Sequence, residues 1–186
     1  MGLLRGIYSG IALFEEFLGI LFLIGAIATR DWIAVEDTLY VGLFKTEYRG
    51  FVSDTTDFFE RNGESAGFVN ASIGLMFISL ASLTATFVLT IILQKKISFY
   101  LLLAITLLAI LPEILVIASM VLLIALIPEV GYDKDDDKVG FSFYLALFGG
   151  VFSWAALSSL GYSARRGELN EGTVQHVEFD KTSQAI

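Results

Sequence analysis

Three carboxylates lie inside long apolar runs of this sequence, where acidic side chains are unusual. Glu15 and Glu16 are neighbours in the run 7–28, and Glu113 follows Pro112 in a later run. A charged carboxylate at the centre of a membrane-spanning helix costs roughly 2.5 kcal/mol or more, so each is a functional candidate. The chemistry open to them is hydrogen bonding between helices, partner binding, or a proton or cation path. Hydrogen bonding between helices is the favoured interpretation.

Small residues predict which way the first two carboxylates point. Helices in lipid pack through small residues, so the face that carries these residues should lie inside a bundle. Glu16 shares a face with Ala12 and Gly19 at helical spacing, so we expect it to point inward. Glu15 falls beside Ile11 and Phe22 instead, which predicts that it faces lipid or another protein.

The sequence contains no group of residues that would form a catalytic or metal-binding site. There is no cysteine, and His176 is the only histidine, so neither a cysteine or histidine metal site nor a Ser-His-Asp triad can be assembled. The acidic run 133–138 lacks the spacing and the glycine of an EF-hand loop, so it is interpreted as a solvated loop. We therefore expect no enzymatic activity, no cofactor, no metal site and no nucleic-acid partner.

The composition is that of an integral membrane protein. Apolar residues make up 55% of the 186 residues, charged residues only 17%, and the mean hydropathy is +0.72. A helix of about 20 residues spans the hydrocarbon of a bilayer, and four runs are long enough. They predict one four-helix membrane domain over 1–164, with helices at about 7–28, 67–94, 97–127 and 139–164. A cleaved signal peptide is disfavoured for the first run, which is too long and carries two glutamates.

Basic residues set the predicted orientation. Arg5, Lys95-Lys96 and Arg165-Arg166 all fall on one side of the four spans, and basic loops resist translocation. Both termini should therefore be cytoplasmic in a multi-pass protein of the plasma membrane, with acidic outer loops at 29–66 and 128–138. The polar tail 165–186 is predicted to be disordered.

The first outer loop has the pattern of strands. Between Tyr40 and Tyr48, aromatic and branched residues alternate at period two, and Gly50 and Asn62-Gly63 supply turn signals. We expect a mainly helical fold, with a small extracellular antiparallel sheet formed by this loop. The third span, 32 residues from Ile97 to Pro128, would measure about 48 Å as a helix, so it should project from the bilayer and support the sheet.

Two short motifs carry a resemblance to a family. Trp32 followed by Gly42-Leu43-Phe44 resembles the Trp and Gly-Leu-Trp signature in the first loop of the claudin, peripheral-myelin-protein and calcium-channel gamma-subunit superfamily. Glu47 stands where the first cysteine of that family's disulfide falls, so the chain resembles a cysteine-free variant. The segment Gly140-Phe141-Ser142-Phe143-Tyr144 is similar to the Gly-Trp-Ser-Phe-Tyr of the stargazin-like gamma subunits. Trp32 could equally be an interfacial anchor, which its position favours.

The resemblance implies a protein of interaction rather than of catalysis. It predicts an auxiliary subunit that modulates the assembly, trafficking or gating of a membrane channel or receptor. Its candidate partner-binding residues are Glu15, Trp32, Gly42, Leu43, Phe44, Phe141 and Tyr144. A claudin-like, self-associating cell-junction protein is the alternative.

A small ion or proton pathway through Glu15, Glu16 and Glu113 is the second alternative. The sequence argues against this pathway, because no ladder of Ser, Thr or Asn accompanies the three acids on one helix face. Because the chain has no cysteine, the sheet cannot be held by the family's disulfide. It must be held by packing on the third span or by the partner itself.

Overall fold

A computed structural model of the chain describes residues 2–35, 39–61, 66–95, 99–126 and 137–165. The described part is mainly helical, and four of its helices contain stretches long and apolar enough to cross a membrane. These lengths suggest a multi-pass membrane protein. The helices are α1 (Gly2–Ala28), α2 (Thr55–Arg61), α3 (Gly67–Lys95), α4 (Phe99–Leu126) and α5 (Phe141–Arg165).

The boundaries follow the predicted runs, except that α1 begins at Gly2 rather than at 7 and that α5 begins later than predicted. Helix α5 begins at Phe141 rather than at 139, because Asp137–Val139 forms a strand immediately before it. Helix α4 has 28 residues and a length of about 42 Å, which still exceeds the roughly 30 Å of bilayer hydrocarbon. The predicted extension of this span beyond 126, most of the loop 128–138, and the tail from 166 onward lie outside the described residues.

A five-stranded antiparallel sheet sits at one end of the helices. Its order is β4-β3-β2-β1-β5, and together with α2 it forms what we call the cap. Four strands come from the first predicted loop, as expected, and the fifth comes from the second. The strands are β1 (Ile33–Val35), β2 (Leu39–Val41), β3 (Lys45–Tyr48), β4 (Phe51–Asp54) and β5 (Asp137–Val139).

The first and last long helices pack most intimately. A Cβ atom built on Gly19 of α1 would lie 2.9 Å from the carbonyl oxygen of Gly149 on α5, so the two backbones touch there. Close approach through glycine is the usual way in which helices associate in lipid. Helices α3 and α4 form the other close pair.

The buried apolar residues form two clusters. The larger one runs from the cap into the neighbouring helix ends and includes Trp32, Leu43 and Phe59 with Met120 and Leu123 of α4. The smaller one lies toward the opposite end and contains Ala12, Leu93 and Ile105. The predicted support of the sheet by the third span is therefore one part of the packing beneath the cap.

Candidate functional site

Glu15 and Glu16 are sequence neighbours that connect α1 to two different helices. Glu16 is only 1% exposed, and its Oε1 accepts a hydrogen bond of 2.8 Å from the Thr90 hydroxyl on α3. Glu15 is partly buried, and its Oε2 accepts one of 2.9 Å from the Ser159 hydroxyl on α5. Glu16 thus lies inside the bundle, on the face that its small neighbours predicted. The outward orientation expected for Glu15 is corrected, because its carboxylate turns toward α5.

The second oxygen of Glu16 is buried without a hydrogen-bond partner among the described residues. The oxygen lies in the interior of the bundle, since the whole Glu16 residue is only 1% exposed. An unpaired polar atom in such surroundings reduces stability, since its lost hydration is not replaced. The hydrogen bond from Thr90 therefore satisfies only one of the two oxygens of the Glu16 carboxyl group.

Glu113 lies at the contact between α4 and α5. Its Cγ and Oε1 occupy the space where a side chain at Gly150 would begin, and the Trp154 side chain interacts with its carboxyl group. Like Glu15 and Glu16, it therefore contacts a neighbouring helix. Within the described residues the three acids make contacts on three different helix pairs, and no single array joins them.

Pro112 creates a polar gap in α4 that α3 fills. A proline lacks the N–H that would bond the carbonyl four residues earlier, which is that of Leu108. The Ser82 hydroxyl on α3 donates to this Leu108 oxygen at 2.7 Å, and Ser79 donates to the Pro112 oxygen at 3.2 Å. In apolar surroundings a freed carbonyl needs such a partner, so the proline and Ser82 form a matched pair.

A stripe of buried hydroxyls runs along one face of α3, which corrects the prediction that no polar ladder accompanies the acids. The stripe consists of Ser72, Ser79, Ser82, Thr86 and Thr90. Every hydroxyl in it donates to a protein acceptor: Ser72 to the Ser119 oxygen, Thr86 to the Ser82 oxygen, and the other three as described above. The spacing of three, four and seven was present in the sequence. The acceptors, mostly backbone carbonyls of α4, could not be read from it.

Trp32 anchors the cap from inside. It is fully buried, its indole Nε1 donates to the Ala26 oxygen at the end of α1 at 2.8 Å, and its backbone N–H bonds to the Val41 oxygen. Both Gly42 and Leu43 are buried beside it. These three candidates for partner binding are therefore part of the cap interior and do not present a surface. The anchoring role expected for Trp32 is likewise one inside the protein.

The close approach of two chain segments explains the glycine in this motif. A Cβ atom on Gly42 would lie 2.5 Å from Arg30 Cα and 2.8 Å from the Lys45 oxygen. Moreover, the Gly42 N–H bonds to that same Lys45 oxygen at 3.0 Å, which closes the turn into β3. Any side chain at position 42 would push the end of α1 away from the sheet.

Polar contacts join the cap to α1 and α5. The Ser142 hydroxyl accepts hydrogen bonds from the Thr29 hydroxyl at 2.7 Å and from the Asp31 N–H at 3.0 Å. In addition, the Ser142 N–H bonds to the Asp31 oxygen, and the Gly140 N–H bonds to the Trp32 oxygen. We call this set the joint. It ties the start of α5 to the residues that follow α1.

Glu47, which stands at the position of the family's first cysteine, forms an ion pair. Its Oε2 lies 2.8 Å from Arg30 Nη1, so it links β3 to the end of α1. Lys45 pairs with Asp54 across β3 and β4. Packing, the joint and ion pairs thus hold the cap. Of the two predicted alternatives, these contacts favour support within the chain over support by a partner.

Exposed aromatic side chains surround the cap. Phe44, Phe141 and Tyr144, all partner-binding candidates, are exposed by 41%, 61% and 49%. Phe51, at the start of β4, was not singled out from the sequence, and it is 81% exposed. We call these four residues the aromatic rim. Phe44 also touches Phe77 of α3, with ring centroids 6.2 Å apart.

The described residues contain no group of three or more His, Cys, Asp or Glu side chains that could hold a metal ion. His176 and positions 133–136 of the acidic run lie outside them. No protein-family model and no curated protein matches this chain.

Proposed function

We propose that the chain is inserted in the plasma membrane as a four-span protein and acts as an auxiliary subunit of another membrane protein, a channel or a receptor. The observation that carries this proposal is the aromatic rim, which exposes large rings both on the cap, whose own interior is filled, and at the start of α5. Phe51 is the clearest case, since lipid would not cover a residue of the sheet as it covers a helix. Clusters of exposed aromatic rings are typical of protein contact surfaces.

The internal polar groups support interaction rather than transport. The hydroxyls of the stripe on α3 donate hydrogen bonds to protein acceptors, and Glu15 and Glu113 contact neighbouring helices. A conduction path needs polar groups that face a shared, water-filled route. Those named here lie between packed helices instead, which favours a structural use for all three acids.

The proposed orientation places the cap outside the cell and both termini in the cytoplasm. Arg5, Lys95 and Arg165 all lie at the ends of the long helices opposite the cap. An excess of basic residues is typical of the cytoplasmic side. The aromatic rim would then face the outer domain of a partner, and the lipid-facing helix surfaces would meet its transmembrane segments. To modulate that partner, the rim must contact its conformational states with different affinity.

Affinity purification from native membrane in mild detergent tests the proposal. A channel or receptor recovered in fixed stoichiometry is the expected result, and the variants Phe51→Ser and Phe141→Ser should lose it. Phe14→Ser is the matched control for Phe141→Ser, because both side chains are 61% exposed, but Phe14 lies well inside the α1 span, whereas Phe141 is the first residue of the α5 span, next to the cap. Equal loss in the control would move the contact from the rim to the helices.

Self-association is the outcome that would overturn the proposal in favour of a junction protein. Strand β4 pairs only with β3 among the described residues and carries the exposed Phe51 and Val52. An exposed edge strand of this kind can pair with a second copy. Recovery of the chain alone, as oligomers concentrated between contacting cells, would assign the rim to that use.

A further inference from the structure

A slot opens between the cap and the ends of α1 and α5. Its volume is about 470 Å³, within the roughly 300–1,000 Å³ of sites that bind small molecules. The helices contribute Ile27, Ala28 and Phe141, and the sheet contributes Lys45 and Val52. The slot is therefore lined mainly by apolar side chains, and its charged residues are Arg30, Asp31 and Lys45.

The height of the slot along the helices indicates what could enter it. Ala28 ends one of the stretches apolar enough to cross a membrane, and Phe141 begins another. In the proposed membrane the slot lies where hydrocarbon gives way to lipid headgroups. A molecule with one apolar and one charged end, supplied by the bilayer itself, fits this boundary.

Two cationic side chains share the wall of the slot. Arg30 and Lys45 flank Gly42, as a Cβ atom there would touch the backbone of both. Their ion pairs with Glu47 and Asp54 leave both side chains more than half exposed, at 56% and 55%. A guanidinium has five donor hydrogens and an ammonium three, so each retains donors after one contact with a carboxylate.

Acidic groups around the slot select the kind of headgroup. Asp31 lines it, and each of the two cations already pairs with a carboxylate outside the lining, Arg30 with Glu47 and Lys45 with Asp54. A headgroup with a net negative charge would meet more acid than base. A zwitterionic one can place its phosphate on the cations and its ammonium near the acids.

We propose that this slot binds the headgroup of a zwitterionic phospholipid. The phosphodiester lies between Arg30 and Lys45, the ammonium faces Asp31, and the acyl chains follow Ile27 and Ala28 into the bilayer. The inference rests on the membrane insertion proposed above but not on a protein partner. Lipid retention and partner recovery are separate measurements, so the failure of one leaves the other standing.

Native mass spectrometry of the purified chain, released from detergent micelles, tests the ligand. The four probes are phosphatidylethanolamine, phosphatidylglycerol, a diacylglycerol with the same acyl chains, and inorganic phosphate. We expect phosphatidylethanolamine to be retained most strongly. Equal retention of diacylglycerol would show that the slot recognises only acyl chains, equal retention of phosphatidylglycerol would overturn the zwitterionic preference, and full displacement by inorganic phosphate would indicate a free-anion site.

Two matched variants separate recognition from folding. Lys45→Met and Asp54→Asn each remove the same exposed ion pair, but only the first removes the cation. Lys45→Met should weaken retention of phosphatidylethanolamine by about tenfold, the change expected for one charge-assisted hydrogen bond, while Asp54→Asn should not weaken it. Equal losses in the two variants would overturn the assignment of Lys45, since the ion pair alone would then be responsible.

Discussion

The cap and the helix bundle are both held by polar contacts, but the two regions use different donors. In the cap, backbone N–H groups from two connecting segments supply most of the bonds of the joint, and the buried Trp32 anchors the first of these segments to the end of α1. Between α3 and α4, side-chain hydroxyls donate to backbone carbonyls instead. The cap therefore depends on a few buried residues, whereas the bundle spreads its polar contacts along a whole helix. Single substitutions should accordingly act more strongly in the cap.

The largest effect is expected at Trp32. Trp32→Ala would leave a large cavity and remove the bond to Ala26, at a cost of about 3–5 kcal/mol in the free energy of unfolding. Trp32→Phe keeps most of the volume and should cost clearly less. Chemical denaturation in detergent, followed by circular dichroism, measures both. A small effect of Trp32→Ala would mean that the cap does not unfold together with the bundle.

The next effect is expected at Gly42. Gly42→Ala forces the end of α1 away from the turn into β3, and overpacking of this kind costs about 1–3 kcal/mol. Limited proteolysis of the cap should accelerate in the variant. Gly10→Ala is the control, since a Cβ atom there would meet nothing within 4 Å. Comparable behaviour of the two variants would contradict the tight contact with Arg30.

In the bundle, Ser82→Ala should have a smaller effect. It leaves the Leu108 carbonyl without a donor, and a single hydrogen bond between helices in lipid contributes about 1 kcal/mol. Ser158→Ala, which removes an exposed hydroxyl bonded within its own helix, is the matched control. Thermal unfolding of both variants in the same detergent checks the difference. A larger loss for Ser82→Ala than for Gly42→Ala would reverse the ranking of the two regions.

The smallest effect is expected at the ion pair that stands where the resembling family has a cysteine. Glu47→Gln removes the contact with Arg30, and a partly exposed pair contributes below about 1 kcal/mol. The difference in stability between the variant and the unmodified protein should be smaller at high salt than at low salt, because salt screens such pairs. A loss of several kcal/mol would show that this single ion pair is a main support of the cap.

Patterns carried by long segments were readable from the sequence. The charge-free runs predicted four long helices, and the period-two alternation from Tyr40 to Tyr48 predicted strands in the first loop. The three-residue strand β5 was missed, because a segment as short as Asp137–Val139 shows no period and forms only through pairing with β1. Helix α2 was also missed, because seven residues make only about two turns and show no clear helical period.

The candidate site was predictable by residue type but not by contact. Glu16 could be assigned to the inner face from its small neighbours. In contrast, the burial of Trp32, Gly42 and Leu43 follows from the approach of α1 to the sheet, which no local pattern records. Pro112 did carry an unused signal, since its missing N–H required a donor for Leu108 from another helix. The helix that supplies this donor could not be predicted, because it depends on how the helices pack in the folded protein.

The pairing of β1 with β5 has a consequence for the order of synthesis. These neighbouring strands are about a hundred residues apart in the chain, and their joint includes the first residues of α5. Contacts of such long range form late, because the intervening chain must first be made and closed into a loop. A nascent chain that ends before β5 would therefore carry an open sheet edge at β1. Closure of the cap thus marks the arrival of the last helix, and an unfinished protein would display an unpaired strand until then.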